Sequence, residues 1–353
     1  MKARWLILLV LWWPSVLAAQ EPSSLREADA LLETLVETYG PSGMEAPVRD
    51  AVKRALPDWA KPKTDSAGNL WLTVGQGEPT VVFVAHLDEV GFVVRGIAEN
   101  GSLELEALGG LFPELWEARP ALVHTGSESI PGVFQPRDST GTLRADVGSS
   151  SRAGTEALGI RTGDTVTMPK EYVRLAGYRA TGRSFDDRVG SAAQILALRQ
   201  LDPRRLKHTV IFLWSTREEI GLEGARAAAD SLRFRPVRVH AIDTFVSADS
   251  PLEPQAFAVA PLGHGPVARA LDNSAVTPPA YLDSLVALAR RQGVPLQVGT
   301  TNGGNDGSVF GAYGVPDVPI GWPLRYSHSP VEVIDLRDLV SLAQLVKAAA
   351  EVW

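Results

Sequence analysis

The chain has 353 residues, 45% of them hydrophobic and 21% charged, with a formal net charge of −7. That length supports a large core and more than one domain. An acidic chain without Lys/Arg clusters excludes nucleic acid as a partner, because phosphate binding needs clustered cations.

At the N-terminus, Lys2 and Arg4 precede an apolar run from Trp5 to Trp13, and Val16-Leu17-Ala18 follows Pro14. A basic start, a short apolar stretch and small residues near a cut site predict a secretory signal over 1–18. The run is shorter than the roughly 20 apolar residues a spanning helix needs, so no stable membrane span is expected after cleavage. The expected location is therefore exported, periplasmic or secreted. The chain contains no cysteine, which excludes disulfides and leaves His and carboxylates as metal ligands.

Leu25, Ala28, Leu31, Leu32 and Leu35 recur at helical spacing, predicting a helix from Ser24 to Tyr39 with Ser24 as N-cap. Gly40-Pro41-Ser42-Gly43 ends it, and a short helix follows over Val48 to Leu56. Leu70–Val74 and Thr80–His86 are short, β-branched or apolar, and predict strands. Between Gly91 and Arg179, short alternating segments (Phe92–Val94, Leu103–Leu105, Ala121–His124, Gly132–Phe134, Thr165–Met168) are separated by Gly, Pro and Ser turns, the pattern of a small β-barrel or sandwich.

Beyond Thr181 the helix–strand rhythm returns: helix Val189–Leu201, strand Thr209–Trp214, helix Glu223–Ser231 and strand Val237–Ile242. Helices Tyr281–Arg291 and Leu336–Val352 then flank strands Leu296–Val298 and Val318–Ile320. The predicted fold is α/β, a sheet flanked by helices on both faces and interrupted by an inserted small all-β barrel. The boundaries are a signal peptide at 1–18, a first catalytic part at 19–91, the barrel at 92–179 and a second catalytic part at 180–353.

Sites on open α/β sheets collect at the carboxyl ends of strands. There this chain places His86, Glu218 with Glu219, Asp243 and His328, while Asp186 opens a helix. Asp88 shares a strand face with His86 and can accept its ring N–H, fixing the tautomer. Each signal has a bland alternative: a surface His beside acids, or acids serving a helix dipole. Together they have the shape of a two-metal site, suited to Zn²⁺ first, with Co²⁺ or Mn²⁺ as alternatives. His124, His208, His240 and His264 lack an acidic partner at useful spacing and are expected to be surface or structural. Neither a Gly-x-Ser-x-Gly elbow nor a Gly-x-x-x-x-Gly-Lys loop is present.

Four runs, His86-Leu-Asp-Glu-Val-Gly-Phe, Ser184-Phe-Asp-Asp-Arg-Val-Gly, Arg217-Glu-Glu-Ile-Gly-Leu-Glu-Gly-Ala and Arg325-Tyr-Ser-His-Ser-Pro, resemble the glutamyl/deblocking (tetrahedral-type) aminopeptidases, dinuclear metallopeptidases of family forty-two. Gly263-His-Gly-Pro266, Gly303-Gly-Asn-Asp306 and Arg144-Ala-Asp-Val-Gly148 match as well, so the resemblance runs from about Ala28 to the C-terminus.

The resemblance implies a mixed-sheet, zinc-aminopeptidase-like sandwich and two divalent ions per subunit. Asp186 matches the bridging carboxylate, in a peptide with Asp187 that is often cis. His86 and Asp243 match the ligands of one ion; Glu219 and His328 match those of the other. Glu218 matches the base that activates the bridging water, with Asp88 as catalytic support. Asp306, with Asn305 and Arg325, matches the substrate pocket, although the family usually has Thr where this chain has Asn305.

Peptides with a free N-terminus are the implied substrates, and a homo-oligomer, dimer to dodecamer with the barrel at subunit contacts, the implied assembly. Most relatives are cytosolic, from which the export signal departs. The alternatives are a carboxylate-pair glycoside hydrolase, which leaves His86 and His328 unexplained, and a catalytically inactive exported binding protein of the same fold.

Overall fold

The computed structural model describes residues 21–352 apart from 127, 139–140, 233–234, 248 and 250–258; the expected signal peptide therefore lies outside the described residues. Its centre is an eight-stranded mixed sheet in the spatial order Lys63–Thr64, Leu70–Val74, Thr209–Ser215, Thr80–His86, Arg238–Val246, Ile320–Leu324, Val267–Leu271, Gln297–Thr300. The four strands from Thr209–Ser215 to Ile320–Leu324 are mutually parallel, with Ser215 in register beside His86.

All seven residues of Thr80–His86 are buried, as required of a strand covered on both faces. Val81, Phe83 and Ala85 join one core, packed under helices Ser23–Glu37, Phe185–Gln200 and Leu336–Val352. Val82 and Val84 join a smaller core on the other face, with Ala225, Ala228 and Phe310.

Six antiparallel strands, Gly91–Ile97, Leu103–Leu108, Pro120–His124, Ser129–Phe134, Arg144–Asp146 and Thr165–Thr167, close into a barrel. The barrel has its own core, in which Trp116 meets Phe92 and Phe134 edge to face at 5.2 and 5.6 Å between ring centres. The β-rich stretch does not all belong to it: Val173–Arg174 pairs with Arg179–Gly182, which pairs in turn with Glu332–Asp335 in a separate three-stranded sheet. Among the described residues no helix is long and apolar enough to cross a membrane.

Three local expectations are corrected. The first helix starts at Ser23, after Pro22, with no side-chain cap. The expected strand at Val237–Ile242 runs on to Val246, so Asp243 lies within a strand rather than past its end. The strand expected at Val318–Ile320 is Ile320–Leu324, which brings its end closer to the His328 loop.

Candidate metal centre

His86 ends its strand, and its Nε2 lies 3.1 Å from Asp186 Oδ1. The other oxygen of that carboxylate, Oδ2, lies 3.3 Å from His328 Nε2, which is 3.4 Å from Glu219 Oε2. One carboxylate thus faces two ligand groups, His86–Asp186–Asp243 and Asp186–Glu219–His328, each with ligand atoms within 4.8 Å of one another. The Asp186–Asp187 peptide is cis.

Asp88 is fully buried and does more than the sequence suggested. Its carboxylate accepts from the backbone N–H of Glu218 at 2.9 Å, the N–H of Glu219 at 3.2 Å and Ser42 Oγ at 2.6 Å. The His86 Nδ1 is nearer to the Asp88 carbonyl oxygen, at 3.2 Å, than to its carboxylate, at 3.6 Å. Asp88 therefore links His86 to the turn that carries Glu218 and Glu219.

Burial would depress His86, but its hydrogen bonds to Asp186 and Asp88 outweigh that and raise its pKa. Burial would raise Asp186, yet hydrogen bonds to His328 and His86 hold it below the ordinary carboxylate range. The other acids lack such compensation. Burial, with repulsion from Asp186, pushes Glu219 up to about 8, and burial, with Asp243, Asp306 and Glu219 adding, raises Glu218 strongly. Glu219 Oε1 is also buried without a hydrogen-bond partner. An excess of buried carboxylate oxygens with an orphan among them, set beside two imidazoles, is the donor chemistry a pair of divalent cations satisfies. The residues fit the metals that the ligand set implied.

Five non-glycine residues around the site adopt left-handed backbone: Ser184 (φ 66), Arg217 (φ 53), Leu222 (φ 58), Tyr326 (φ 62) and His328 (φ 58). Such conformations cost on the order of 1–3 kcal/mol each and persist where the surroundings over-determine them. They adjoin or carry Asp186, Glu218 and His328.

The centre opens into a cleft of 460 Å³, lined by Asp186, Glu218, Glu219, Asp243 and His328 together with Gly110, Phe112, Leu222, Thr244, Arg269 and the Asn302–Gly304 loop, among others. The three expected substrate residues are not in that lining. The Asn305 side chain caps the helical turn at Asp306–Tyr313 and donates to Asp272. Asp306 is buried and accepts from Ser215 Oγ, and burial with nearby acids pushes it up to about 7. Arg325 is spent on Asp249, at 2.8 and 2.6 Å.

The lining residues Arg269, Phe112 and Gly110 escaped sequence reasoning. Arg269 is buried, 3.5 Å from Asp243 and 3.6 Å from Asp272, and an arginine in a strand-like run carries no local signal of that. Of the remaining histidines, His124 bonds Ser129 and Thr167, and His240 bonds Arg238 and Val318. Both are structural.

The chain matches the model of the M42 glutamyl aminopeptidase family over residues 68–345. It is 32% identical to the lysyl aminopeptidase of Pyrococcus furiosus, over 91% of this chain and 96% of that protein. Among solved structures, the TET1 peptidase of Pyrococcus horikoshii superposes with a TM-score of 0.84 at 32% identity, covering 92% of this chain and all of that one. An aminopeptidase from the archaeon Desulfurococcus kamchatkensis superposes at 0.86 and 30% identity, covering 93% and 95%. With a shared carboxylate between two histidine-bearing ligand groups on this fold, the chain belongs to the M42 glutamyl aminopeptidase family and is a metallo-aminopeptidase.

Proposed function

We propose that the protein is an exported aminopeptidase that uses two divalent ions and Glu218 to hydrolyse the N-terminal peptide bond of peptides. The observation that carries this is the Asp186 carboxylate, whose two oxygens face His86 and His328, with Glu218 in the wall of the same cleft. His86, Asp186 and Asp243 would hold one ion; Asp186, Glu219 and His328 would hold the other. Divalent ions bound by these residues would supply Lewis acidity, polarising a peptide carbonyl and increasing the acidity of water.

The chain's own residues supply the proton handling. Glu218 takes a proton from the attacking water and passes it to the departing amine, so one carboxylate serves as base and then as acid. Asp88 fixes the backbone of both Glu218 and Glu219, setting base and ligand relative to each other. The acidic floor favours a substrate ammonium, and a cleft of 460 Å³ admits a peptide terminus rather than a folded chain.

Export is supported by the basic and apolar pattern of residues 1–18; sequencing the N-terminus of protein recovered from periplasm or medium tests it. A homo-oligomer is supported by likeness to the TET1 peptidase, which can assemble into a tetrahedron or a large octahedral shell. Light scattering tests this, and a clean monomer counts against it.

The test of activity is a panel of aminoacyl chromogenic amides run with Zn²⁺, Co²⁺, Mn²⁺ and a chelator. Hydrolysis should vanish on chelation and return with metal. Activity that survives exhaustive chelation would favour a carboxylate-pair glycosidase, and a titration showing no metal binding would favour an inactive binding protein.

A further inference from the structure

Two ligands of the second group sit on segments outside the main sheet, the His328 loop being closed at its base by the Arg325–Val333 bridge. Asp186 lies in non-helical backbone (φ −75, ψ 108) at the start of its helix, and His328 lies in a loop between strands Ile320–Leu324 and Glu332–Asp335. His86 and Asp243, by contrast, belong to strands paired on both sides in the main sheet.

Glu332 joins these two segments. It pairs with Gly182 at the end of the short antiparallel ladder, is 2% exposed, and divides its carboxylate between them. Oε2 accepts from the N–H of Phe185 at 2.7 Å and, more weakly, from that of Asp186 at 3.4 Å. Oε1 accepts from the N–H of His328 at 3.0 Å.

These are bonds to backbone donors that have no other partner among the described residues. Only a carboxylate of this length can do it, because both ends must accept. A glutamine has one oxygen and would turn its NH₂ toward one of the N–H groups; an aspartate is one methylene short. Ser184, Tyr326 and His328, all left-handed, lie on the two segments so clamped.

We propose that Glu332 is a positioning residue that ties the Asp186 and His328 segments together and so sets the spacing of the second ligand group, leaving His86 and Asp243 to the sheet. The inference rests on the two-metal reading given above. Asp186 belongs to both ligand groups and His328 to the second alone, so loss of Glu332 weakens both ions' sites, and the second more.

The experiment is zinc binding to metal-free wild type, Glu332→Gln and Glu332→Asp, by equilibrium dialysis with elemental analysis. Thermal unfolding with and without zinc, kcat and KM accompany it. Wild type should bind two ions. Each variant should bind one ion about 10–100-fold more weakly and the other with a clearly smaller loss. The zinc-induced rise in melting temperature should shrink, and kcat should fall by a similar factor with KM changed less than about threefold.

The proposal is overturned if both variants bind two ions as wild type does with unchanged kcat. It is also overturned if only the metal-free melting temperature falls while the zinc-induced rise is preserved, since that is a merely structural role. A wild type that binds fewer than two ions overturns the two-metal reading itself, and this inference with it.

Discussion

The Nδ1 of His328 lies 2.8 Å from the carbonyl oxygen of Gly110, which stands 218 residues earlier in the chain, in the loop that follows a barrel strand. A carbonyl only accepts, so Nδ1 must donate, and Nε2 is left to face Asp186 and Glu219. The barrel is thereby part of the site: its loop sets the tautomer of a candidate ligand, and Phe112 lines the cleft beside it.

Gly109 tests this coupling. Its φ is +94, and an added Cβ would lie 2.7 Å from Val90 Cγ1 and 3.3 Å from Glu219 Cβ and Oε2. Gly109→Ala should lower stability by about 1–3 kcal/mol and reduce kcat at least tenfold. Gly159→Ala is the control, with φ +88 and nothing within 4 Å; it should show the backbone cost with normal kcat. Equal activity losses in the two variants would refute the coupling.

Glu218→Gln should reduce kcat about 10²–10⁴-fold while zinc content and melting temperature stay near wild type, because Glu218 is in neither ligand group. Elemental analysis beside steady-state kinetics decides it. Loss of an ion in step with activity would make Glu218 a ligand rather than a base.

Arg269 is 2% exposed and holds the cleft wall through the Gly304 and Asn302 carbonyls, both at 3.4 Å. Arg269→Met leaves the buried Asp243 and Asp272 without their cation, so urea denaturation should show a loss of about 3–5 kcal/mol. Arg269→Lys should recover only part of it, since an ammonium cannot span the planar fork's partners. Full rescue by lysine would show that charge alone matters there.

His240 predicts acid sensitivity. Burial first, then the nearby Arg238 charge, hold its pKa at about 3, against about 6.5 in the unfolded chain. Between those values the unfolded state binds the extra proton, so this group's contribution is fully present above about pH 6.5 and is lost as pH falls toward 3. His240→Gln should flatten the dependence of unfolding free energy on pH between 6.5 and 4 by about one proton, or about 1.4 kcal/mol per pH unit, compared at equal metal load. An unchanged slope would mean that the titrating group lies elsewhere.

Much of the fold was legible locally. Thr80–His86 and Leu336–Val352 have the bounds that their apolar patterns predict, because burial on both faces, or on one helical stripe, writes itself into neighbouring residues. Arg144–Asp146 was visible only as part of a matching motif, since three residues of mixed polarity carry no periodicity and their pairing with Leu103–Leu108 and Ser129–Phe134 is entirely non-local. The stretch from Val173 looked like barrel because its texture is equally β-rich, whereas the strand Arg179–Gly182 within it pairs with Glu332–Asp335, about 150 residues further on.

The residue types of the centre, and their places at or near strand ends, were legible in the sequence alone: without thiolates, imidazoles and carboxylates are the donors left for a zinc-type site, and strand patterns show where they emerge. Only the tertiary structure decided which of them meet. It turned the two oxygens of Asp186 toward different histidines, bound Asp88 to the backbone of Glu218 and Glu219 rather than to His86 alone, paired Asn305 with Asp272, Asp306 with Ser215 and Arg325 with Asp249, and brought Gly110 and Glu332 to His328. Those relationships are hydrogen bonds to backbone groups and contacts across long loops. They depend on where the chain returns in space, which no local pattern of side chains records.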